Sequence, residues 1–520
     1  MARRLFSAEE AYAMVCSDTE TASEDGEEFL CSSSSSSSES ESPPARRRRL
    51  DLPADAGPSE STWVPVGNYT PQIPTFSASP GIQVDTSDFR EVDFFKLFFS
   101  EDLLAHMVHH TNLYAQQRID SHPTSYFARV QNWTPTNSVE LQKFWGLLLN
   151  MGLVKKTGIR DYWSSDILYN TPLNSTVMTR TRFEDILKCL HYNDNSRCPP
   201  PQDPSYDRLY KVRPVIDHYA TKFSQVYTPS QNVVVDESLV SFKGRLHFRQ
   251  YLPNKRARYG IKMYKACESS TGYTFRFQIY EGKDSKIEPP NCPPNLKISG
   301  KIVWDLIYPI LGKGYHLYID NFYNSVPLLT TLSTQSTLAC GTIRRNKKGL
   351  PRALLGQNLR KGESSAMCKD NLMFLKFKDK REVLFLSTIH DSSCRPAAVR
   401  GSSTPMNKPV CILDYNRFMG GVDLSDQVIK PYSAMRKSKT WYKKLAVHLT
   451  QIALYNAFVL SRHAGSRDTF LQFQEKVIKN LIFGDLGEGV ASGSNVCRIV
   501  PGQHFPLLIT PTERKSKPQK

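Results

Sequence analysis

Apolar and polar positions follow two different periods along the chain, and the first part follows the helical period. Between residues 94 and 226, large apolar side chains recur every three or four positions, which is typical of amphipathic helices packed on a core. The pattern predicts helices after Ser100, after Asn137, over 180–191 and over 213–226. Ser100 and Asn137 are suited to cap helix N-termini, and acidic residues follow each of them. We therefore expect an all-helical region of roughly 140 residues, a typical domain size.

The period changes to that of β-strands after residue 231. The apolar, β-branched run 233–235 indicates a buried strand, and a Ser-Ser-Thr-Gly turn at 269–272 indicates a hairpin. The predicted elements are, in order, strands over 231–243, 244–251, 259–265 and 273–280, a helix over 301–311 and a strand over 315–320. Strand, strand, strand, helix, strand, helix is the order of a ribonuclease H-like α/β core. In that layout the end of the strand over 231–243 lies beside the end of the strand over 315–320, which would bring Asp236 and Asp320 together.

Two of these strands run directly into carboxylates. Asp236 and Glu237 follow the first apolar run, Asp320 follows the strand after residue 315, and Asp423 follows a Gly-Gly turn at the start of a helix-like segment. A single acid at a strand end more often caps a turn, but the repetition favours a metal site. Mg²⁺ and Mn²⁺ prefer carboxylate oxygens, and two such ions stabilise charge on both oxygens of a phosphodiester undergoing cleavage.

The charge balance indicates a polyanionic partner. The 520-residue chain is 40% hydrophobic and carries a formal net charge of +17, with a pI near 9.3. No apolar run reaches about 18 residues and no signal peptide is evident, which favours nucleic acid over a membrane surface. A basic run usually forms a solvated face, but basic runs follow every candidate acid. We expect these side chains to contact DNA phosphates: Lys243, Arg245, Arg249, Lys255, Arg256, Arg344, Arg345, Lys347, Lys348, Lys437, Lys439, Lys443 and Lys444.

The first 80 residues have the composition of a disordered tail. They contain an acidic stretch, the serine run 32–38 and the arginine block 46–49, with too few large apolar residues to offset the entropy of ordering. The arginine block is either a nuclear localisation signal or a DNA contact, or merely a solvated charge run. Eleven cysteines are spread singly, without a Cys-x-x-Cys pair, so we expect reduced thiols and no zinc site in this chain.

Several blocks, in order from about residue 89 to about residue 462, resemble those of piggyBac-type transposases, in particular vertebrate piggyBac-like elements. They are Val-Val-Val-Asp236-Glu237-Ser-Leu, Tyr-Ile-Asp320-Asn321-Phe-Tyr-Asn, Cys340-Gly-Thr-Ile-Arg-Arg-Asn and Met-Gly-Gly-Val-Asp423-Leu-Ser-Asp426. The resemblance implies a cut-and-paste DNA transposase in the nucleus. Such an enzyme binds terminal inverted repeats as a homodimer, excises the element through hairpin ends and inserts it at TTAA sites.

The resemblance also implies roles for individual residues. Asp236, Asp320 and Asp423 fall on the catalytic acids that hold two Mg²⁺ ions, with Mn²⁺ as a possible substitute, and Asp426 falls on an additional metal-site carboxylate. Asn321 and the loop 344–348, which includes Asn346, fall where the family approaches TTAA. Family members carry a cysteine-rich zinc module after the basic tail, and this chain ends at Lys520 without it. Either the protein is naturally short or this form is truncated.

The predicted fold is a ribonuclease H-like α/β catalytic core with an insertion domain, flanked by a mainly α-helical DNA-binding and dimerisation domain and preceded by a disordered N-terminal tail. The predicted boundaries are 1–80 for the tail, 81–230 and 431–505 for the helical domain, 231–345 and 411–430 for the core, 346–410 for the insertion and 506–520 for a basic tail. The main alternative is a domesticated DNA-binding protein that kept this fold without transposing. An unrelated two-metal nuclease or phosphatase is a third possibility.

Overall fold

The computed structural model describes residues 62–121, 130–253, 258–283, 287–398, 405–434 and 438–484. The helices in these ranges are α1 Glu91–Lys96, α2 Glu101–Ser121, α3 Ser138–Leu153, α4 Pro172–Val177, α5 Arg180–Cys189, α6 Arg213–Val226, α7 Ile298–Ile307, α8 Val326–Thr334, α9 Arg352–Gly356, α10 Val410–Phe418, α11 Gly421–Ile429, α12 Trp441–His463 and α13 Phe470–Phe483. The strands are β1 Val64–Pro65, β2 Gly81–Ile82, β3 Tyr227–Thr228, β4 Asn232–Ser241, β5 Gln250–Tyr251, β6 Tyr259–Glu268, β7 Thr274–Ile279, β8 His316–Ile319, β9 Leu338–Thr342, β10 Ser364–Lys369, β11 Leu372–Lys378, β12 Glu382–Ser387, β13 Cys394–Ala397 and β14 Met406–Pro409.

The helices predicted before residue 230 are confirmed, together with their caps. The Ser100 hydroxyl accepts a hydrogen bond from the Leu103 amide at 3.3 Å, and the Asn137 side chain accepts one from the Glu140 amide at 2.9 Å. Both bonds satisfy backbone donors that have no partner within the first helical turn. Local capping chemistry therefore sets where α2 and α3 begin.

A mixed sheet of ten strands, as counted over the described ranges, forms the centre of the molecule. Its order is β1-β10-β11-β12-β9-β8-β4-β6-β5, and β7 pairs with β6. Strand β6 is antiparallel to β4 and β7, whereas β8 is parallel to both β4 and β9. The predicted order of elements is thus observed. The predicted strands over 231–243 and 315–320 are β4 and β8, and they are neighbours as expected.

The segment 244–251 is not the strand that its alternation predicts. Only Gln250 and Tyr251 pair with β6, and the preceding residues form a loop. The Arg249 guanidinium donates to the carbonyls of Lys243 and Gly244, both at 3.0 Å. Phe248 is buried in the core, so the alternation reflects a loop that turns single apolar side chains inward.

Residues 62–80 are also ordered, although the sequence assigns them to the disordered tail. β1 pairs with β10, the Trp63 indole donates to the Gly349 carbonyl at 2.8 Å, and the Phe76 ring packs edge-on against Tyr315. These contacts are made with distant segments, so no local periodicity reveals them. The remainder of the predicted tail, residues 1–61, lies outside the described residues.

The segment predicted as an insertion continues the central sheet. β12 pairs antiparallel with β9, and β11 and β10 follow outward. β13 and β14 form a separate two-stranded sheet. Since β10–β12 share the sheet with the core strands, the boundaries of an insertion domain stay a prediction.

Helix α12 joins the helical region to the sheet. All residues from Leu445 to Ser461 are buried. The Asn456 amide donates to the Thr274 carbonyl at 2.8 Å and accepts from its amide at 3.0 Å, while the Thr450 hydroxyl bonds to the Tyr219 hydroxyl at 3.0 Å. Helices and sheet therefore share one hydrophobic core. In the part of the chain that is described, no helix is both long and apolar enough to cross a bilayer.

Candidate active site at the ends of the central strands

The register of the parallel strands brings two of the predicted acids to neighbouring positions. Val235 of β4 lies opposite Ile319 of β8. Asp236 directly follows Val235, and Asp320 directly follows Ile319. Neighbouring strands lie about 5 Å apart. The Asp320 carboxylate accepts a hydrogen bond from the Thr342 hydroxyl of β9 at 3.2 Å. The strand register alone therefore places Asp236 and Asp320 next to each other, just beyond the last pair of β4 and β8.

Helix α11 brings the third acid to the same face of β4. On a strand, alternate residues share a face, and Val234, two residues before Asp236, packs directly against Gly421. A Cβ added to Gly421 would lie 2.8 Å from Val234 Cγ1 and 2.7 Å from the Glu268 carbonyl oxygen. Asp423 lies in the first turn of α11 and is exposed. A carboxylate is favourable there because the amide groups of a helix N-terminus carry partial positive charge.

Asp426 is held by an ion pair rather than left open. The Lys265 ammonium donates to the Ser425 hydroxyl at 2.6 Å and to Asp426 Oδ1 at 3.1 Å. Burial among protein atoms would raise the pKa of the Asp426 carboxyl, but Lys265 and the Ser238 hydroxyl outweigh it and hold that pKa below its usual value. Burial would likewise lower the pKa of Lys265, yet Asp426 raises it above its usual value. Both groups are therefore charged at neutral pH.

A second network ties β4 to the loop after Asp320 on the opposite face of the sheet. The Tyr323 hydroxyl donates to Glu237 Oε2 at 3.2 Å, and the Lys262 ammonium lies 3.7 Å from the same oxygen. Burial, with Glu237 beside it, raises the pKa of Tyr323 well above its usual value, so the phenol stays protonated and donates. This contact fixes the loop that carries Asp320 relative to the strand that carries Asp236.

The three acids suit a hard divalent cation in chemistry, although they do not form a closed ligand shell. Carboxylate oxygens on rigid elements are the donors that Mg²⁺ and Mn²⁺ prefer. Across the described ranges, no group of three or more His, Cys, Asp and Glu side chains is arranged to hold a metal ion. The three carboxylates are thus of the right chemical type for such an ion, but the described side chains are not arranged as a metal site.

The basic side chains predicted to contact DNA divide into exposed and engaged groups. Lys243, Arg245, Arg249, Arg345, Lys348 and Lys439 are exposed, as is Asn346. Arg345 nevertheless pairs with Glu382 at 3.2 Å. The Arg344 guanidinium donates to Asn321 Oδ1 at 2.8 Å, and the Lys347 ammonium donates to the Phe322 carbonyl at 3.2 Å. The loop 344–348 thus lies against the loop that follows Asp320.

Lys443 and Lys444, both predicted to contact DNA phosphates, make hydrogen bonds within the protein. The Lys443 ammonium donates to the carbonyls of Leu187 and Lys188, both at 2.7 Å, where it satisfies the C-terminus of α5. The Lys444 ammonium donates to the Ser241 carbonyl at 3.2 Å. A DNA contact by either residue stays a prediction. Lys255, Arg256 and Lys437 lie outside the described residues.

Sequence reasoning missed the residues that hold the acids in place, above all Lys265, Ser238, Tyr323 and Thr342. Two lysines, Lys262 and Lys265, within the largely apolar strand over 259–268 were the available signal for Lys265. Its register partner, Asp236, becomes evident only once β4 and β6 are paired.

Comparison with known proteins places this geometry among transposases. The family model described as Transposase IS4 matches residues 90–458. The human PiggyBac transposable element-derived protein 3 is 27% identical over 398 residues, which cover 74% of this chain and 63% of that protein. The human PiggyBac transposable element-derived protein 5 is 23% identical over 410 residues, 75% of each chain. The chain thus spans less than two thirds of the length of the first of these relatives.

The fold also matches a solved structure, a cryo-EM structure of the piggyBac transposase synaptic complex with hairpin DNA. The TM-score is 0.67 at 24% sequence identity, with 81% of this chain and 86% of the other covered. At this identity the match establishes the shared fold.

Proposed function

The chain belongs to the Transposase IS4 family and is of the piggyBac type, and from that premise we propose that it is a cut-and-paste DNA transposase. One observation carries the proposal. Asp320 directly follows β8 and Asp236 lies within β4, each one residue beyond the last pair of these parallel strands, and α11 packs against the same face of β4 with Asp423 in its first turn. This arrangement has the element order of a ribonuclease H-like core.

In the proposed reaction, Asp236, Asp320 and Asp423 would hold divalent metal ions, Mg²⁺ or in its place Mn²⁺. A bound divalent ion supplies charge stabilisation on the attacking and leaving oxygens and lowers the pKa of the attacking water. The water oxygen forms a bond to phosphorus, the bond from phosphorus to the 3′-oxygen breaks, and that oxygen takes up a proton to become a 3′-hydroxyl. The oxygen of this 3′-hydroxyl then forms a bond to a phosphorus of the opposite strand, which closes a hairpin as the bond from that phosphorus to the flanking 3′-oxygen breaks and the flank leaves with a 3′-hydroxyl. Water opens the hairpin by the same hydrolysis and restores the 3′-hydroxyl of the element. That hydroxyl attacks a phosphorus of the target, whose own 3′-oxygen leaves as a hydroxyl.

Exposed cations among the predicted DNA contacts support double-stranded DNA as the substrate. Lys243, Arg245, Lys348 and Lys439 are exposed, and each can neutralise a backbone phosphate. The same proposal has four further parts. The protein recognises terminal inverted repeats, inserts at TTAA, acts as a homodimer and works in the nucleus. These parts rest on the family and on the net charge of +17.

The test separates chemistry from binding. Asp320→Asn keeps the size of the side chain and removes one carboxylate charge, so cleavage of a labelled duplex carrying the element end and a TTAA junction should fall at least about a hundredfold, while the Kd for the duplex changes less than about threefold. Wild-type cleavage should need Mg²⁺ and stop in EDTA. An equal loss of cleavage and of binding would contradict the assigned role.

The alternative of a domesticated DNA-binding protein has its own support, because the human relatives bear the name transposable element-derived proteins. Tight binding without cleavage by the wild-type chain, in both Mg²⁺ and Mn²⁺, would favour it.

A further inference from the structure

A buried lysine lies beside the candidate catalytic acids, and the proposed reaction gives it no role. The Lys265 side chain has no solvent exposure, and its residue pairs with Asp236 across the antiparallel strands β4 and β6. Residues that lie opposite one another in an antiparallel pair point to the same face. Lys265 of β6 therefore lies beside Asp236 of β4 and contacts α11, the helix that carries Asp423.

The ammonium of Lys265 reaches only one of the two acids on that helix by direct contact. It lies 3.1 Å from Asp426 Oδ1 and bonds Ser425 Oγ at 2.6 Å. The Asp426 side chain is 31% exposed. The Asp426 side chain thus joins α11 to β6 through its ion pair with Lys265.

Asp423, one turn earlier on α11, is in a different situation, since it is exposed. An ammonium ion can satisfy the same carboxylate oxygens that a metal would use, and a carboxylate already paired with an internal cation gains less from a metal. Four carboxylates on one site would repel one another, and one internal cation among them reduces that repulsion before any metal or DNA arrives.

We infer that Lys265 is the internal counter-ion of Asp426, so that Asp426 is a positioning residue that holds α11 on the sheet and leaves the metal to Asp236, Asp320 and Asp423. The part that concerns the metal rests on the proposed function. The part that concerns the ion pair does not, because it can be measured without metal or DNA.

The ion pair is tested by thermal unfolding of the metal-free chain. Lys265→Met and Asp426→Asn each preserve side-chain size and leave one charge without its partner, so each should lower the unfolding midpoint by several degrees. The double variant should be no less stable than the worse single variant, since the two changes remove one interaction. Additive losses in the double variant would overturn the pairing.

The metal assignment is tested by Mn²⁺ titration, followed by electron paramagnetic resonance, of the same variants and of Asp423→Asn. Asp426→Asn should change the Mn²⁺ dissociation constant by less than about twofold, whereas Asp423→Asn should raise it by about tenfold or more. An equal loss in both would make Asp426 a ligand and overturn the inference. Absence of Mn²⁺ binding by the wild-type chain would instead refute the proposed function and the metal assignment with it, while the unfolding experiment would still decide the ion pair.

Lys376→Met is the matched control. Lys376 is also a buried lysine of the central sheet and lies on β11. It pairs with Glu382 at 3.2 Å, and four strands (β12, β9, β8 and β4) separate β11 from β6, the strand of Lys265. Its replacement should lower the unfolding midpoint, leave the Mn²⁺ dissociation constant unchanged and add to the effect of Asp426→Asn. Non-additivity of this control with Asp426→Asn would show that the coupling is not specific to Lys265.

Discussion

Replacing Gly421 by alanine should disturb the acid site by pure packing. Gly421 is the first residue of α11, and its φ is not positive, so the backbone itself accepts an alanine. The added Cβ would lie 2.7 Å from the Glu268 carbonyl oxygen, 2.8 Å from Val234 Cγ1 and 3.1 Å from Ser269 Cα. Since two of these atoms belong to the backbone, the neighbours cannot simply rotate away.

The expected magnitude follows from these distances. Ordinary contacts begin at about 3.5 Å, so the start of α11 must move by about 0.5–1 Å. Overpacking of this kind costs about 1–3 kcal/mol, against a gain of about 0.5–1 kcal/mol when an alanine replaces a helical glycine. We therefore expect a net loss of roughly 1–2 kcal/mol in the free energy of unfolding. Because Asp423 lies two residues further on, cleavage should fall by up to about a hundredfold.

Gly420 provides the matched control. It precedes Gly421, has a φ of −76°, and a Cβ added there meets nothing within 4 Å. Gly420→Ala should leave both stability and cleavage near the wild-type values. Urea unfolding and cleavage of a labelled duplex in Mg²⁺ measure the two effects. If Gly421→Ala behaved like Gly420→Ala in both assays, the close packing of α11 on β4 would be refuted.

Three further changes probe other contacts. Tyr323→Phe removes the hydrogen bond to Glu237 and should lower the free energy of unfolding, measured in urea, by about 1.5 kcal/mol. The Tyr264 hydroxyl makes no hydrogen bond among the described residues, so Tyr264→Phe should not lower it. Equal effects of the two changes would contradict the role of the Tyr323 bond. Burial lowers the pKa of Lys443 from 10.5 to about 8. Between pH 8 and 10.5 the unfolded chain therefore binds more protons than the folded chain, and the free energy of unfolding should rise with pH. Urea unfolding of Lys443→Met at a series of pH values should lack this rise, and an unchanged slope would refute the role of Lys443. Lys348→Ala removes an exposed cation beside the Asp320 loop and should lower the salt slope of DNA binding by about one, as measured by fluorescence anisotropy; an unaltered slope would exclude a phosphate contact by Lys348.

Local chemistry made much of the fold predictable. The caps at Ser100 and Asn137 and the apolar run 233–235 each act within a few residues, so the sequence determines where α2, α3 and β4 begin. The order of strands and helices then restricts the topology, and it leads to the parallel pairing that brings Asp236 and Asp320 together. The catalytic and DNA-binding roles assigned to single residues stay predictions.

Alternation by itself proved insufficient at 244–251, where Phe248 turns inward from a loop rather than from a strand. For the segment 62–80 the error was the opposite one, since an ordered segment was predicted to be disordered. Trp63 and Phe76 find their partners in segments far along the chain. Periodicity reports which residues are buried, but it does not report what buries them.

The sequence by itself determined the family, the order of the elements and the three acids that follow two apolar runs and begin a helix. Only the tertiary structure decided that Lys265 pairs with Asp426 and that Lys443 satisfies the end of α5. The physical reason is that a charged side chain has the same local signature whether it meets solvent, phosphate or a buried carboxylate. Its partner depends on strand register and helix packing between residues more than a hundred positions apart, and that information exists only in the folded chain.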